Sequence, residues 1–207
     1  MKKILFQGDS ITDCGRMTCG GAGFNCQGAG PGYAGMIAAD LGCKYPGEYE
    51  IINRGISGNR IVDLYARWKC DCLNLKPDIL SILIGVNDVI HETHLQNGVE
   101  QERFERIYRE ILQWTVDTLP GIRLILIGSF TGKNQQPENV MAEVAARAEI
   151  TRKLAAEFNA VYMPGQELFD NAMKNAPSTY WIGDDIHPTP AGHRLMANEW
   201  ERLMGVL

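Results

Sequence analysis

The sequence has no concentrated run of basic residues and no long apolar stretch. Its 207 residues include 20 Lys and Arg against 25 Asp and Glu, which gives a formal net charge of -5. Because nucleic-acid binding normally needs a clustered basic surface, a nucleic acid is not expected as a partner. No segment approaches the roughly 18 apolar residues of a membrane span, so no membrane association is expected either.

A recognisable secretory leader is also missing from the first residues. Only three apolar residues stand between Lys3 and Gln7, whereas a signal peptide needs about 7 to 15 in a row. We therefore expect a cytoplasmic protein. A chain of this length suits one hydrophobic core, so a single domain over residues 1–207 is predicted.

Motifs that bind metals or nucleotides are absent as well. The six cysteines form no C-x-x-C pair and are expected to be reduced thiols. His91 and His94 do not have the H-E-x-x-H spacing of a zinc site. The glycine-rich loop from Cys14 to Pro31 contains no G-x-G-x-x-G, so it is predicted to form part of a pocket wall. Neither a metal nor an organic cofactor is expected.

Short aliphatic runs alternate with longer amphipathic segments along the chain. The short runs predict strands over residues 3–7, 49–54, 78–85, 122–128 and 160–163. Apolar residues spaced three and four apart predict helices over residues 32–41, 60–75, 99–119, 139–159, 166–175 and 189–204. This alternation is typical of parallel strands joined by right-handed crossover helices. It predicts an α/β fold, a three-layer α/β/α sandwich of about five parallel strands.

Small and polar residues follow the predicted strands, and the carboxyl ends of parallel strands meet at one rim of a sheet. Gly8, Asp9 and Ser10 follow the first strand. "GISGN" (55–59) follows the second strand, "GVND" (85–88) follows the third, and "WIGDDIHPT" (181–189) comes after the last. Together they supply a hydroxyl, hydrogen-bond donors, an imidazole and carboxylates, the set of groups that acyl transfer needs.

The role of Ser10 depends on these distant segments. By itself, a serine after Gly and Asp is equally well a turn residue. A serine hydroxyl becomes a nucleophile when a base takes its proton, and a neutral imidazole such as that of His187 can do so. A carboxylate on the other ring nitrogen then holds the imidazole in the required tautomer.

The blocks "GDSIT", "GISGN", "GVND" and "DDIHP" resemble, in order, the four conserved blocks of the SGNH hydrolases, also called the GDSL family. The resemblance covers almost the whole chain and implies a flavodoxin-like sheet. It implies a nucleophile at Ser10 and a base at His187 supported by Asp184. It also implies an oxyanion hole formed by the backbone N–H groups of Ser10 and Gly58 and by the side chain of Asn87.

Longer stretches, "ILFQGDSITDCGR", "INRGISGNR" and "WIGDDIHPTPAGH", are similar to small bacterial carbohydrate esterases of the acetylxylan esterase type. This narrower resemblance implies that small acyl groups, in the first place acetyl, are removed from carbohydrates such as xylo-oligosaccharides through an acyl-enzyme. The expected partner is an acylated sugar, and a homo-oligomer remains open. The alternatives are a broad carboxylesterase, thioesterase or lysophospholipase and, in a different class, a noncatalytic carbohydrate-binding module.

Local patterns leave two further questions. Of the adjacent acids, Asp184 is favoured over Asp185, since in D-x-x-H the carboxylate can fold back toward the ring. Asp185 is expected to face solvent or to bind the backbone. Tyr180 and Trp181 form either a wall that stacks on a sugar or a local hydrophobic plug, and His91 is a candidate contact at the rim of the pocket.

Overall fold

The computed structural model describes residues 1–17 and 27–205. A parallel five-stranded sheet has the order β2-β1-β3-β4-β5, the order of flavodoxin-like folds. Its strands are β1 (Lys2–Gly8), β2 (Tyr49–Asn53), β3 (Ile79–Leu83), β4 (Arg123–Ile127) and β5 (Val161–Met163). The predicted strands and the predicted three-layer α/β/α architecture are therefore confirmed, with shifts of a few residues at the strand ends.

Helices cover both faces of this sheet. In the described part they are α1 (Ser10–Asp13), α2 (Tyr33–Lys44), α3 (Ile61–Asp71), α4 (Val86–Leu95), α5 (Gln101–Thr118), α6 (Glu138–Glu157), α7 (Gly165–Ala172), α8 (Ser178–Trp181) and α9 (Pro190–Met204), with 3-10 turns at Gln27–Ala29 and Leu73–Leu75. The six predicted helices are present. No helix in the ranges above combines the length and apolarity needed to cross a membrane.

The hydrophobic core consists of two clusters, one on each face of the sheet. Successive side chains of a strand point to opposite faces, so Ile4 and Phe6 of β1 join one cluster and Leu5 joins the other. Helices α2 and α9 pack together on the first face, and α3 and α5 on the second. Burial on both faces explains why the strands read as nearly continuous apolar runs.

Helix α4 was not predicted from the sequence. It begins at Val86, three residues after β3 ends, where the pattern indicated only a turn. Val86, Val89 and Ile90 are buried at positions i, i+3 and i+4, so the helical spacing was present but covered only a few residues. This helix carries Asn87 and Asp88 to the carboxyl rim of the sheet.

The described cysteines Cys14, Cys43, Cys70 and Cys72 are free thiols. Cys19 and Cys26 lie outside the described residues, as does the middle of the loop that was predicted to line a pocket.

Candidate active site

Ser10 is the first residue of α1, directly beyond the end of β1. The preceding residue, Asp9, caps this helix, because its Oδ1 accepts a hydrogen bond from the Ile11 N–H at 3.0 Å. Glycine is required at position 8 in this turn, because a Cβ there would overlap the carbonyl oxygen of Leu83. The turn therefore presents the Ser10 hydroxyl at the carboxyl rim of the sheet.

Ser10, His187 and Asp184 form one hydrogen-bonded chain. Ser10 Oγ lies 2.8 Å from His187 Nε2, and His187 Nδ1 lies 2.7 Å from Asp184 Oδ2. Because a carboxylate only accepts hydrogen bonds, His187 Nδ1 must carry a proton in this contact. In the neutral imidazole Nε2 is then free to accept the proton of the serine hydroxyl.

The loop that carries the acid and the imidazole is closed on itself. Asp184 Oδ1 accepts hydrogen bonds from the backbone N–H groups of Ile186 at 3.1 Å and His187 at 2.7 Å. Gly183 N–H donates to the His187 carbonyl at 3.0 Å. Partial burial favours the neutral acid, but the hydrogen bonds from His187 and Ile186 outweigh it and lower the pKa of Asp184 below its ordinary value. The carboxylate facing the imidazole is therefore kept ionised.

Asp185 has a different environment from its neighbour. Its side chain is only 4% exposed, and its carboxylate accepts hydrogen bonds from the N–H groups of Asn134 at 2.9 Å and Gln135 at 2.6 Å. The expectation that Asp185 binds the backbone agrees with these contacts, whereas the alternative that it faces solvent is wrong. Asp185 fastens the loop of residues 131–136 to the segment that bears Asp184.

The predicted oxyanion-hole residues lie on segments that are tied to the serine. Ser57, beside Gly58, donates both its backbone N–H and its hydroxyl to Asp13 Oδ2 at 3.0 Å, which links this turn to α1. Gly58 has a φ of 80°, which a residue with a side chain rarely adopts. Asn87 is 7% exposed, and its Nδ2 donates to the Asn59 carbonyl at 3.1 Å.

Asp88 fastens α4 in this position. Both of its carboxylate oxygens lie within hydrogen-bond distance of the Ile61 N–H, at 3.0 and 3.3 Å. Asp88 therefore provides a hydrogen-bond acceptor for a backbone N–H in the first turn of α3 that has no partner within the helix. Burial raises the pKa of Asp88 to about 7, against the lowering effect of that hydrogen bond. Asp88 thus holds together the two helices that flank the predicted oxyanion hole.

Asp9 is a buried acid that sequence reasoning placed in the turn before Ser10 but not in the triad. Its side chain is completely buried, and its Oδ2 has no hydrogen-bond partner among the described residues. Burial raises its pKa to about 7, although the Ile11 N–H and the positive charge of protonated His187 favour the ionised form. The sequence did not indicate this burial, because an aspartate is rarely fully buried unless it is paired.

The three predicted substrate contacts occupy different positions around the site. Tyr180 is exposed, and its ring lies 4.9 Å from that of Trp181 in an edge-to-face arrangement. Trp181 is half-buried against the first core cluster, which corresponds to the hydrophobic plug weighed above. His91 lies on α4, and a Cβ at Gly58 would be 3.8 Å from its Cε1. His91 is therefore a neighbour of the predicted oxyanion hole.

A cavity of about 370 Å³ adjoins the acid end of the hydrogen-bonded chain. We call it the polar cavity. Its polar lining comes mainly from Thr93, His94, Asn134, Gln135, Gln136 and Asp184. Sequence reasoning did not identify it, because residues 131–136 follow β4 without any motif of their own.

The sequence and the fold can now be compared with those of known proteins. Residues 6–195 match the model of the GDSL-like lipase/acylhydrolase family. The chain belongs to this family. The chain is also 33% identical to an acetylxylan esterase of Geobacillus stearothermophilus over 209 residues, covering 99% of this chain and 94% of that protein. The family resemblance drawn from the four sequence blocks is thereby confirmed.

Solved structures resemble the esterase over its whole length. A protein of Parabacteroides merdae assigned to the GDSL-like lipases is 38% identical, with a TM-score of 0.94, and the match covers 100% of this chain and 96% of that chain. The acetylxylan esterase of Geobacillus stearothermophilus, in a variant described as a catalytic mutant with alanine in place of a serine, has a TM-score of 0.89 at 30% identity, covering 100% and 95% of the two chains.

These comparisons confirm the enzyme class. The family match and the acetylxylan esterase relative show that the protein is a carboxylic ester hydrolase, an esterase that acts on acyl groups. The hydrogen-bonded serine, imidazole and carboxylate at the rim of its sheet have the arrangement that such chemistry requires.

Proposed function

We propose that the esterase removes acetyl groups from carbohydrates such as xylo-oligosaccharides through an acyl-enzyme formed on Ser10. The observation that carries this proposal is the hydrogen-bonded chain from Ser10 through His187 to Asp184. The choice of an acetylated sugar is supported by the similarity to an acetylxylan esterase along almost the entire chain.

In the first half of the reaction, Ser10 Oγ attacks the ester carbonyl while His187 Nε2 takes its proton. Asp184 holds His187 in the tautomer with Nδ1 protonated and stabilises the imidazolium that forms. The carbonyl oxygen becomes an oxyanion, which the backbone N–H groups of Ser10 and Gly58 and the amide of Asn87 stabilise. The imidazolium then returns its proton to the sugar oxygen as the C–O bond breaks, and the alcohol leaves.

In the second half, water attacks the acyl group on Ser10. His187 takes a proton from the water, and the same donors stabilise the second oxyanion. Collapse of this intermediate breaks the bond to Ser10, His187 returns the proton to Ser10 Oγ, and acetic acid is released, which gives its proton to solvent and becomes acetate. His187 moves the proton in each step at Ser10, so these steps use side chains and backbone groups of this chain and water.

The proposal is tested by measuring acetate release from acetylated xylo-oligosaccharides and hydrolysis of p-nitrophenyl esters of increasing chain length. We expect Ser10→Ala to lose on the order of 10⁵- to 10⁶-fold in turnover on every ester, as when a serine nucleophile is removed from other hydrolases. Thr118→Ala is the control. This exposed hydroxyl belongs to the last residue of α5, outside the residues that form the site, and its loss should leave turnover within about twofold.

Two results would contradict the proposal. Equal hydrolysis by Ser10→Ala and the unmodified esterase would remove Ser10 from the mechanism. A preference for long acyl chains over acetyl, with no acetate released from the acetylated oligosaccharides, would replace the carbohydrate substrate by the broad carboxylesterase alternative.

A further inference from the structure

The polar cavity lies within two hydrogen bonds of the serine hydroxyl. Asp184 belongs both to its lining and to the chain that runs through His187 to Ser10. Its volume of about 370 Å³ falls within the usual range for pockets that hold small molecules. Asp184 thus places this cavity next to the catalytic residues.

Three consecutive residues with carboxamide side chains, Asn134, Gln135 and Gln136, line the loop wall of the polar cavity. No described residue forms a hydrogen bond with these three side-chain amides. A carboxamide donates through nitrogen and accepts through oxygen, as a sugar hydroxyl does through its single oxygen. Thr93 and His94 of α4 face the same space and add a hydroxyl and an imidazole. The lining thus suits a ligand rich in hydroxyl groups.

The backbone under these carboxamides is held in place from several sides. Asp185 accepts hydrogen bonds from the N–H groups of Asn134 and Gln135. The Asp185 carbonyl accepts from the Gly132 N–H at 2.8 Å and from the Thr131 hydroxyl at 2.8 Å. A Cβ at Gly132 would overlap the Asp185 carboxylate, so the close approach requires glycine. A wall fixed in this way loses less conformational entropy when it binds a ligand.

We propose that the polar cavity binds a sugar residue adjacent to the acetylated one, and that Gln135 and Gln136 hydrogen-bond to its hydroxyl groups. This assignment rests on the proposed function. Under this assignment the cavity is a subsite that favours oligosaccharides over single sugars and over aryl acetates, because a single sugar occupies only the position next to Ser10. Asp185 is the positioning residue that keeps the carboxamides beside the catalytic acid.

The test compares Gln135→Ala, Gln136→Ala and the double variant on three substrates, acetylated xylotriose, acetylated xylose and p-nitrophenyl acetate. Each single change should lower kcat/KM on acetylated xylotriose by about 3- to 10-fold, the effect of one lost hydrogen bond. Activity on the other two substrates should stay within about twofold. Gln113→Ala is the matched control, because this exposed glutamine lies on α5, where its side chain donates a hydrogen bond to Asp117.

The outcomes separate the subsite from the proposed function. If the unmodified esterase cleaves acetylated xylotriose and the double variant cleaves it equally well, the subsite assignment is overturned while the function stands. An equal loss on all three substrates also overturns it, because the glutamines would then support the catalytic loop and not the sugar. If the unmodified esterase cleaves p-nitrophenyl acetate but no acetylated sugar, the proposed function is wrong, and the subsite assignment that rests on it is wrong as well.

Discussion

Asp184→Asn and Asp185→Asn should have different effects, because Asp184 takes part in catalysis and Asp185 stabilises a loop. Asp184 Oδ1 accepts two backbone N–H groups, and Oδ2 accepts from His187 Nδ1. In Asp184→Asn the carbonyl oxygen stays with the backbone donors, so the NH₂ group faces Nδ1. His187 then adopts the tautomer with the proton on Nε2 and can no longer accept the proton of Ser10. We expect turnover to fall by about 10⁴-fold, as in other triads with this change.

Asp185→Asn should act on stability instead. The carboxylate accepts the N–H groups of Asn134 and Gln135, whereas an asparagine has one acceptor oxygen and an NH₂ group that opposes the second donor. The site is 4% exposed, so water cannot easily replace the lost contact. The free energy of unfolding should fall by about 1 to 3 kcal/mol, the cost of one unsatisfied buried donor. Turnover on p-nitrophenyl acetate should fall by less than about tenfold.

The assay combines initial rates on p-nitrophenyl acetate with urea unfolding of the unmodified esterase and both variants. Asp184 is 60% exposed, so Asp184→Asn should unfold close to the unmodified esterase. A severe loss of turnover in Asp185→Asn with a mild one in Asp184→Asn would refute the reasoning and reassign the acid. Equal losses of rate and stability in both variants would show that the shape of the loop, and not the proton on His187, controls the rate.

Two further predictions concern the oxyanion hole and the buried acid. Asn87→Ala should lower turnover by about 100- to 1,000-fold, the usual cost of one oxyanion donor; a loss below tenfold on p-nitrophenyl acetate would remove Asn87 from this role. Burial raises the pKa of Asp9 from 3.8 to about 7, so the folded protein retains a proton that the unfolded chain releases as pH rises above about 4. The free energy of unfolding should therefore decline by about 2 to 3 kcal/mol between pH 5 and pH 7 through this residue. In Asp9→Asn this part of the decline should be missing when the free energy of unfolding is measured with urea at each pH. An equal decline in Asp9→Asn and in the unmodified esterase would contradict the role given to Asp9.

Much of the fold could be predicted because its elements are encoded locally. The strands are built around short aliphatic runs because both faces of the sheet are covered, and α5 and α9 carry apolar residues at helical spacing. Helix α4 was missed, since it follows β3 after two residues and its buried positions are confined to its first half. The environment of Asp185 was only partly predicted, because its burial depends on a loop about 50 residues earlier in the chain.

The sequence by itself determined the order of strands and helices, the family and the residue types available for catalysis, because periodicity and short motifs are local properties. Only the tertiary structure decided that Ser10 and His187, 177 residues apart, lie within hydrogen-bond distance. It also decided that Asp185, next to the acid that the sequence favoured, anchors a distant loop. Such contacts depend on how separate elements pack. Packing leaves the side chain of Asp184 exposed to water and buries that of its neighbour Asp185 in the protein interior.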